Sequence, residues 1–204
     1  MILQIFTISL FAQINTDRVL AIGRNALYFE DYVLSIQYFN QVIKSKPWLA
    51  EPYFYRAVAK INLDDFKGAE EDCTLCLQRN PFLTQAYYAR GIARQSQEKY
   101  DEAIADLNKA AKLLPDFAYI YYNRGNLFAL SGRFPEAFEE YSHAIALDPG
   151  LAEAYFNRGL VQIYMKDTRK GLLDISKAGE LGIGEAYDLL RLYSAAGMPN
   201  DTDN

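Results

Sequence analysis

Histidine occurs once in this chain, tryptophan once and cysteine twice. Each shortage excludes something. The single imidazole, His143, has no serine or cysteine nucleophile at a telling spacing, so it reads as a surface residue and not as a catalytic base. Cys73 and Cys76 are the whole thiol complement. A zinc site takes about four ligands, and neither a second pair nor a histidine cluster exists to complete one. The two thiols read as buried packing, with a redox pair or a disulfide as the alternative. Basic charge is short as well: 21 Lys and Arg stand against 26 Asp and Glu, for a net charge of −5. A nucleic-acid binder usually carries a basic stripe, so no nucleic-acid partner is expected. No metal or cofactor is expected either.

Long apolar runs are also missing. A membrane helix needs roughly 20 consecutive apolar residues, and residues 2–12, ILQIFTISLFA, fall short of that. No integral span is expected. The run has the length of the apolar core of an export signal, with cleavage near Ala12 and a basic start lying upstream of Met1. The alternative is an apolar helix or strand packed on the first repeat. The export reading is preferred, which favours an exported or periplasmic location over a cytoplasmic one. No linker, low-complexity stretch or second domain is visible.

What is present is regular. Half of the residues are hydrophobic and tyrosine alone occurs 16 times, a composition suited to contact surfaces. Pro47, Pro81, Pro115 and Pro149 stand 34 residues apart. The same ruler finds small residues at Gly23, Ala57, Gly91, Gly125 and Gly159, and again at Ser35, Ala69, Ala103, Ala137 and Gly171. Val42, Cys76, Ala110, Ala144 and Ala178 make a third such column. Aromatics recur at Tyr53, Tyr87, Tyr121 and Tyr155, and at Tyr32, Phe66, Tyr100 and Phe134. Each period reads as two helical stretches joined by a polar turn such as ALSGRF (129–134). Small residues let the two axes approach, Pro135 suits a first helical turn, and the recurring prolines stop each second helix. One such hairpin cannot bury its apolar face alone, so hairpins must stack.

The period and the set Tyr121, Gly125, Phe128, Phe134, Ala137, Tyr141, Ala144 and Pro149 resemble the tetratricopeptide repeat family. The resemblance implies an all-α fold, a right-handed superhelical solenoid of antiparallel helix pairs. It covers residues 16–183 as five repeats: 16–49, 50–83, 84–117, 118–151 and 152–183. Residues 184–197 are expected as a capping helix, with EAYDLLRLYSAA at its heart and Gly179, Gly182 and Gly184 as the turn before it. Residues 1–15 form the apolar N-terminal segment, and residues 198–204 read as a disordered tail.

One column departs from the family pattern. Arg56, Arg90, Arg124 and Arg158 stand where the family usually has an apolar residue. Sixteen residues after each come Asp72, Asp106, Glu140 and Asp174. The first repeat lacks both members together, with Ile22 and Tyr38 in those columns. A buried arginine needs a partner, so four ion pairs are expected, each inside one repeat. The alternative is an arginine ladder that grips an anionic partner.

In this family the first helices of successive repeats line a face that commonly binds peptides or protein segments. Carried over residue by residue, that implies a partner-binding set of Phe54, Tyr55, Val58, Tyr88, Ile92, Tyr119, Tyr122, Asn123, Asn126, Phe156, Asn157 and Leu160, with Tyr164 nearby. The alternative is that some of these rings only pack between neighbouring repeats. Family members that clamp acidic tails use Lys, Asn, Asn, Lys and Arg. The matching register here is Tyr122, Asn126, Asn157, Tyr187 and Arg191, which keeps the Asn and Arg positions and lacks both lysines. The sequence therefore reads as a non-catalytic scaffold that binds a protein or peptide. The rival reading is an assembly subunit that self-associates or docks through the ends of the stack.

Overall fold

The computed structural model describes residues 15–195; the N-terminal apolar run and the C-terminal tail lie outside the described residues. Among those described there are eleven helices and no strand. They are α1 (Thr16–Tyr28), α2 (Tyr32–Ser45), α3 (Glu51–Ile61), α4 (Phe66–Arg79), α5 (Thr84–Gln95), α6 (Tyr100–Leu113), α7 (Ala118–Leu130), α8 (Phe134–Leu147), α9 (Ala152–Tyr164), α10 (Thr168–Glu180) and α11 (Gly184–Ala195). The chain divides into two compact blocks, Met1–Asp106 and Leu107–Asn204. Within each block helices adjacent in sequence pack on one another, α1 on α2 and α3 on α4 in the first, α7 on α8 and α9 on α10 in the second.

The local chemistry explains the element ends. The C-caps of α2, α4 and α8 are Lys46, Asn80 and Asp148, each followed directly by a proline. Asp31, Asp65 and Asp167 cap the N-termini of α2, α4 and α10 by accepting a hydrogen bond from a backbone N–H three residues on. Pro135 lies in the first turn of α8.

The turn inside each hairpin repeats too. Glu30, Asp64, Glu98, Gly132 and Lys166 all take a left-handed backbone, with φ between 58° and 72°. The N–H of the next residue reaches back a full turn and more: Asp31 to Ala26, Asp65 to Lys60, Lys99 to Arg94, Arg133 to Phe128 and Asp167 to Gln162. This is a Schellman-type ending, which glycine usually supplies. Here only Gly132 does so.

In the first block one core cluster joins Ala57, Ala69, Cys73, Ala89 and Ala93, and another joins Tyr53, Cys76, Leu77 and Ala86. Cys73 and Cys76 are free thiols buried in these clusters. Burial pushes Cys73 up to about 12 and Cys76 up to about 11. In the second block Ala118, Tyr121, Ala144, Ile145, Leu151 and Ala154 form one cluster, and Ile175, Ala178 and Ala186 form another. The small columns are close-approach points: a Cβ on Gly125 would stand 2.7 Å from the Tyr141 ring, and one on Gly159 would stand 2.7 Å from the Gly171 carbonyl.

The expected glycine turn after α10 is narrower than the sequence suggested. Gly179 lies inside α10, where a Cβ would come within 3.1 Å of the Tyr187 ring, and Gly184 opens α11. Gly182 alone of the three has the left-handed backbone, with φ +111°.

Candidate partner-binding surface

The four arginines stand on the first helices of their hairpins. Arg56 donates from Nε and Nη2 to the two carboxylate oxygens of Asp72 (2.8 and 2.5 Å). Arg90 does the same to Asp106 (2.9 and 2.7 Å) and Arg158 to Asp174 (2.6 and 2.8 Å). Asp72 is also paired with Lys60, and Asp106 with Arg94, both at 2.9 Å. Arg124 meets Glu140 through Nη2 only (2.8 Å). Asp72 and Asp106 are buried, and deleting either acid alone leaves two half-buried cations without their carboxylate, at a cost of about 1–3 kcal/mol.

Each guanidinium has a further partner that sequence reasoning missed. Nη1 donates backwards to the preceding second helix: Arg56 to Asn40, Arg90 to Thr74, Arg124 to Asn108 and Arg158 to Ser142. These acceptors are themselves 34 residues apart and lie sixteen residues before each arginine. A column of short polar side chains was the available signal. With Nη1 and Nη2 of each engaged by two different helices, these arginines hold helices together.

The first-helix face is best taken block by block. In the first block Phe54, Tyr55, Val58, Tyr88 and Ile92 are all half-buried. Phe54 packs on both core clusters of that block. Tyr55 stacks on Phe39 with centroids 5.7 Å apart and carries the Arg24 guanidinium 5.2 Å from its ring centroid. In the second block Tyr119 and Leu160 are exposed, while Tyr122, Asn123, Asn126, Phe156 and Asn157 are half-buried. Tyr122 and Phe156 pack partly against the core clusters. Tyr119 meets Tyr122 edge-on at 6.2 Å, and Asn123 donates to the Tyr119 carbonyl (2.7 Å). Tyr164 is exposed beside Phe134, with centroids 4.1 Å apart.

Three of the five clamp-register residues come together. Asn126 Oδ1 accepts from the buried Tyr141 hydroxyl (2.7 Å) and from Asn157 Nδ2 (2.9 Å), and Asn157 Nδ2 also lies 3.3 Å from the Tyr122 hydroxyl. Burial, with a smaller contribution from Tyr122, raises the Tyr141 phenol well above its ordinary range. Asn126 Oδ1 is therefore occupied internally. Tyr141 is a member of this network that the first-helix mapping left out, because it stands on a second helix. Arg191 does not join the group; it is exposed and pairs with Asp188 on its own helix. Tyr187 lies against Gly179.

A second polar cluster sits in the first block. Glu70 Oε1 accepts from Arg94 Nε (2.9 Å), and Oε2 accepts from Gln97 Nε2 (3.0 Å) and Lys99 Nζ (2.7 Å). Burial alone would raise the Glu70 carboxyl; these donors outweigh it and hold it down to about 2. His143 is exposed, with its ring 4.0 Å from that of Tyr121. Among the described residues no three His, Cys, Asp or Glu side chains gather as metal ligands, and no helix is long and apolar enough to cross a membrane.

Helix hairpins at a fixed period, closed by small residues and stopped by proline, define a class, and comparison with known proteins agrees. The family model described as tetratricopeptide repeat matches residues 88–152. Solved structures share the fold. MamA from residue 41 onward, from Desulfovibrio magneticus RS-1, superposes with a TM-score of 0.78 at 20% identity, covering 83% of this chain and 97% of that one. YrrB, described as a TPR protein with an unusual peptide-binding site, gives 0.72 at 17% identity, covering 87% and 90%. TTC0263, a thermophilic TPR protein of Thermus thermophilus, gives 0.64 at 20% identity, covering 90% and 100%. At these identities the likeness is one of fold. No curated protein matches in sequence. Residues 88–152 thus match the tetratricopeptide repeat model, and the described residues have the all-α hairpin fold of these structures. Such repeats are in general interaction modules without catalytic activity of their own.

Proposed function

We propose that this protein is a non-catalytic scaffold that binds an extended peptide or protein segment on the first-helix faces of its repeats, taken as 16–49, 50–83, 84–117, 118–151 and 152–183. The observation that carries this reading is the half-buried character of those faces. Tyr55 and Tyr88 in one block, and Tyr119, Tyr122, Phe156 and Leu160 in the other, keep surface in contact with solvent although large and apolar. Aromatic anchors held by packing on one side are what protein interfaces use. Fixing Asn126 and Asn157 in one network presents their remaining amide groups in a set orientation. The peptide-binding site named for YrrB, a protein of the same fold, supports the reading. A competing reading, an assembly subunit docking through its end, draws on α11, where Tyr187 and Leu192 are exposed.

A crosslinked pull-down from the native cell separates the two. The wild type is compared with Tyr88→Ala/Tyr119→Ala/Leu160→Ala, after helicity and melting are shown unchanged. Capture of a partner by the wild type and its loss with the variant is expected. Equal capture by both would overturn the face as the binding site. Loss of self-association on Leu192→Glu, with capture unaffected, would favour assembly through the end.

A further inference from the structure

Within the second block, α8, α9 and the start of α10 enclose a hollow of about 360 Å³, lined by Phe138, Gln162, Met165, Asp167 and Lys170. That is within the size range of small-ligand pockets, about 300–1,000 Å³. None of its lining residues belongs to the first-helix face. Phe138 is half-buried and Met165 is exposed, which gives the hollow an apolar wall. Gln162 is only 9% exposed, and its Oε1 is buried without a hydrogen-bond partner. Buried carboxamide oxygens are normally satisfied, and one left bare calls for an occupant.

The repeat supplies a comparison. Two periods earlier the same positions hold Glu70, Arg94, Gln97 and Lys99, and there the chain fills the space itself: Arg94, Gln97 and Lys99 all donate to Glu70. In the later copy the carboxylate hub has become Phe138, Arg94 has become Gln162, Gln97 has become Met165 and Lys99 has become Asp167. Both cations are replaced by acceptors, and no side chain of the hollow donates to Gln162 Oε1. Lys170 pairs with Asp167 at 2.8 Å, but its side chain is 70% exposed. An exposed i,i+3 pair is a weak competitor.

We propose that this hollow seats the guanidinium of an arginine side chain from a partner protein. An outward swing of the Gln162 side chain on binding brings its carboxamide oxygen to the hollow. The guanidinium then donates to that oxygen and to the Asp167 carboxylate, with its plane against the Phe138 ring and its stem along Met165. Arginine suits the site better than lysine because a planar fork can donate to two acceptors while stacking on a ring. Phe138 already has an arginine near it, with Arg158 Cζ 5.8 Å from its centroid. A net charge of −5 favours a basic partner at long range. The site is independent of the first-helix faces.

The test is NMR on the full chain, following the Met165 methyl and the Gln162 side-chain amide. The probe is the capped peptide Gly-Gly-Arg-Gly-Gly, with citrulline, lysine and norleucine versions as controls. A saturable shift of both signals by the arginine peptide is expected, about tenfold weaker with citrulline and in Asp167→Asn. Asparagine still caps α10, so that variant keeps the fold; Gln162→Met removes the acceptor at similar volume. Binding in Tyr119→Ala/Leu160→Ala is expected to match wild type. Silence at Met165, an equal response to citrulline or norleucine, or undiminished binding to Asp167→Asn would overturn the proposal. An equal response to lysine would overturn the choice of arginine.

Discussion

Arg124 reaches Glu140 through Nη2 alone, and its buried Nε has no hydrogen-bond partner. At the three equivalent places an aspartate takes both Nε and Nη2. The extra methylene of Glu140 moves its carboxylate out of the fork. Glu140→Asp is expected to restore the two-bond geometry and to stabilise by about 0.5–1.5 kcal/mol, the net worth of one hydrogen bond. Urea denaturation measures it, and a loss of stability would contradict the geometry. A double-mutant cycle on Arg124 and Glu140 should return a coupling energy; none would mean the pair is idle.

Gly125 faces Tyr141, whose hydroxyl is held by Asn126. The ring cannot retreat without breaking that bond. Gly125→Ala is expected to cost about 1–3 kcal/mol through overpacking, despite alanine's better helix propensity. In a Tyr141→Leu background the same change should cost less, because the obstructing ring is gone. Equal costs in both backgrounds would show that the contact is not the cause.

The left-handed turn residues make an opposite prediction. Glu98 takes φ 59°, a conformation that suits glycine and strains an L side chain. Glu98→Gly should raise stability by roughly 0.5–1 kcal/mol, less glycine's added freedom in the unfolded chain. At Gly132, with φ +72° and open space around it, alanine should lower stability by a similar amount. Melting curves of the two variants should move in opposite directions.

Glu70 gives a pH dependence. Its folded-state pKa is about 2, below the ordinary carboxylate value of 4.5. As pH falls the unfolded chain takes up this proton first, so the contribution to stability is present above about pH 4.5 and is lost toward pH 2. Glu70→Gln should cost about 1–2 kcal/mol at pH 7 and almost nothing near pH 2. A cost independent of pH would show that the donors do not stabilise the charged form.

The hairpins were legible because they are written five times. A proline or a small residue carries little alone, but the same residue at a fixed interval marks the same bend or the same close approach. The arginine–acid offset was legible for the same reason, helped by the joint loss at Ile22 and Tyr38. The backward acceptors were not, because Asn40, Thr74, Asn108 and Ser142 differ in type and share only a capacity to accept. The turn residues hid likewise, since four of the five are charged and carry no glycine signal. On the first-helix face, a ring that packs and a ring that waits for a partner have the same pattern. Only geometry separates Phe54, set on two core clusters, from Tyr119, which is 41% exposed. The hollow at Gln162 was invisible because it depends on space that neighbouring side chains fail to fill.

The backward reach of the arginines has a consequence for how such a chain can grow. A 34-residue segment cut at Pro81 and Pro115 carries a guanidinium, the carboxylate that receives it, and, in Asn108, the acceptor for the arginine of the next hairpin. Duplicating that segment in the gene would deliver plug and socket together, so an inserted copy would arrive with both of its junctions already wired. Lengthening by whole periods leaves no carboxylate without its arginine. The spacing thus perpetuates itself, and an array of this kind can change its reach without redesigning a single joint.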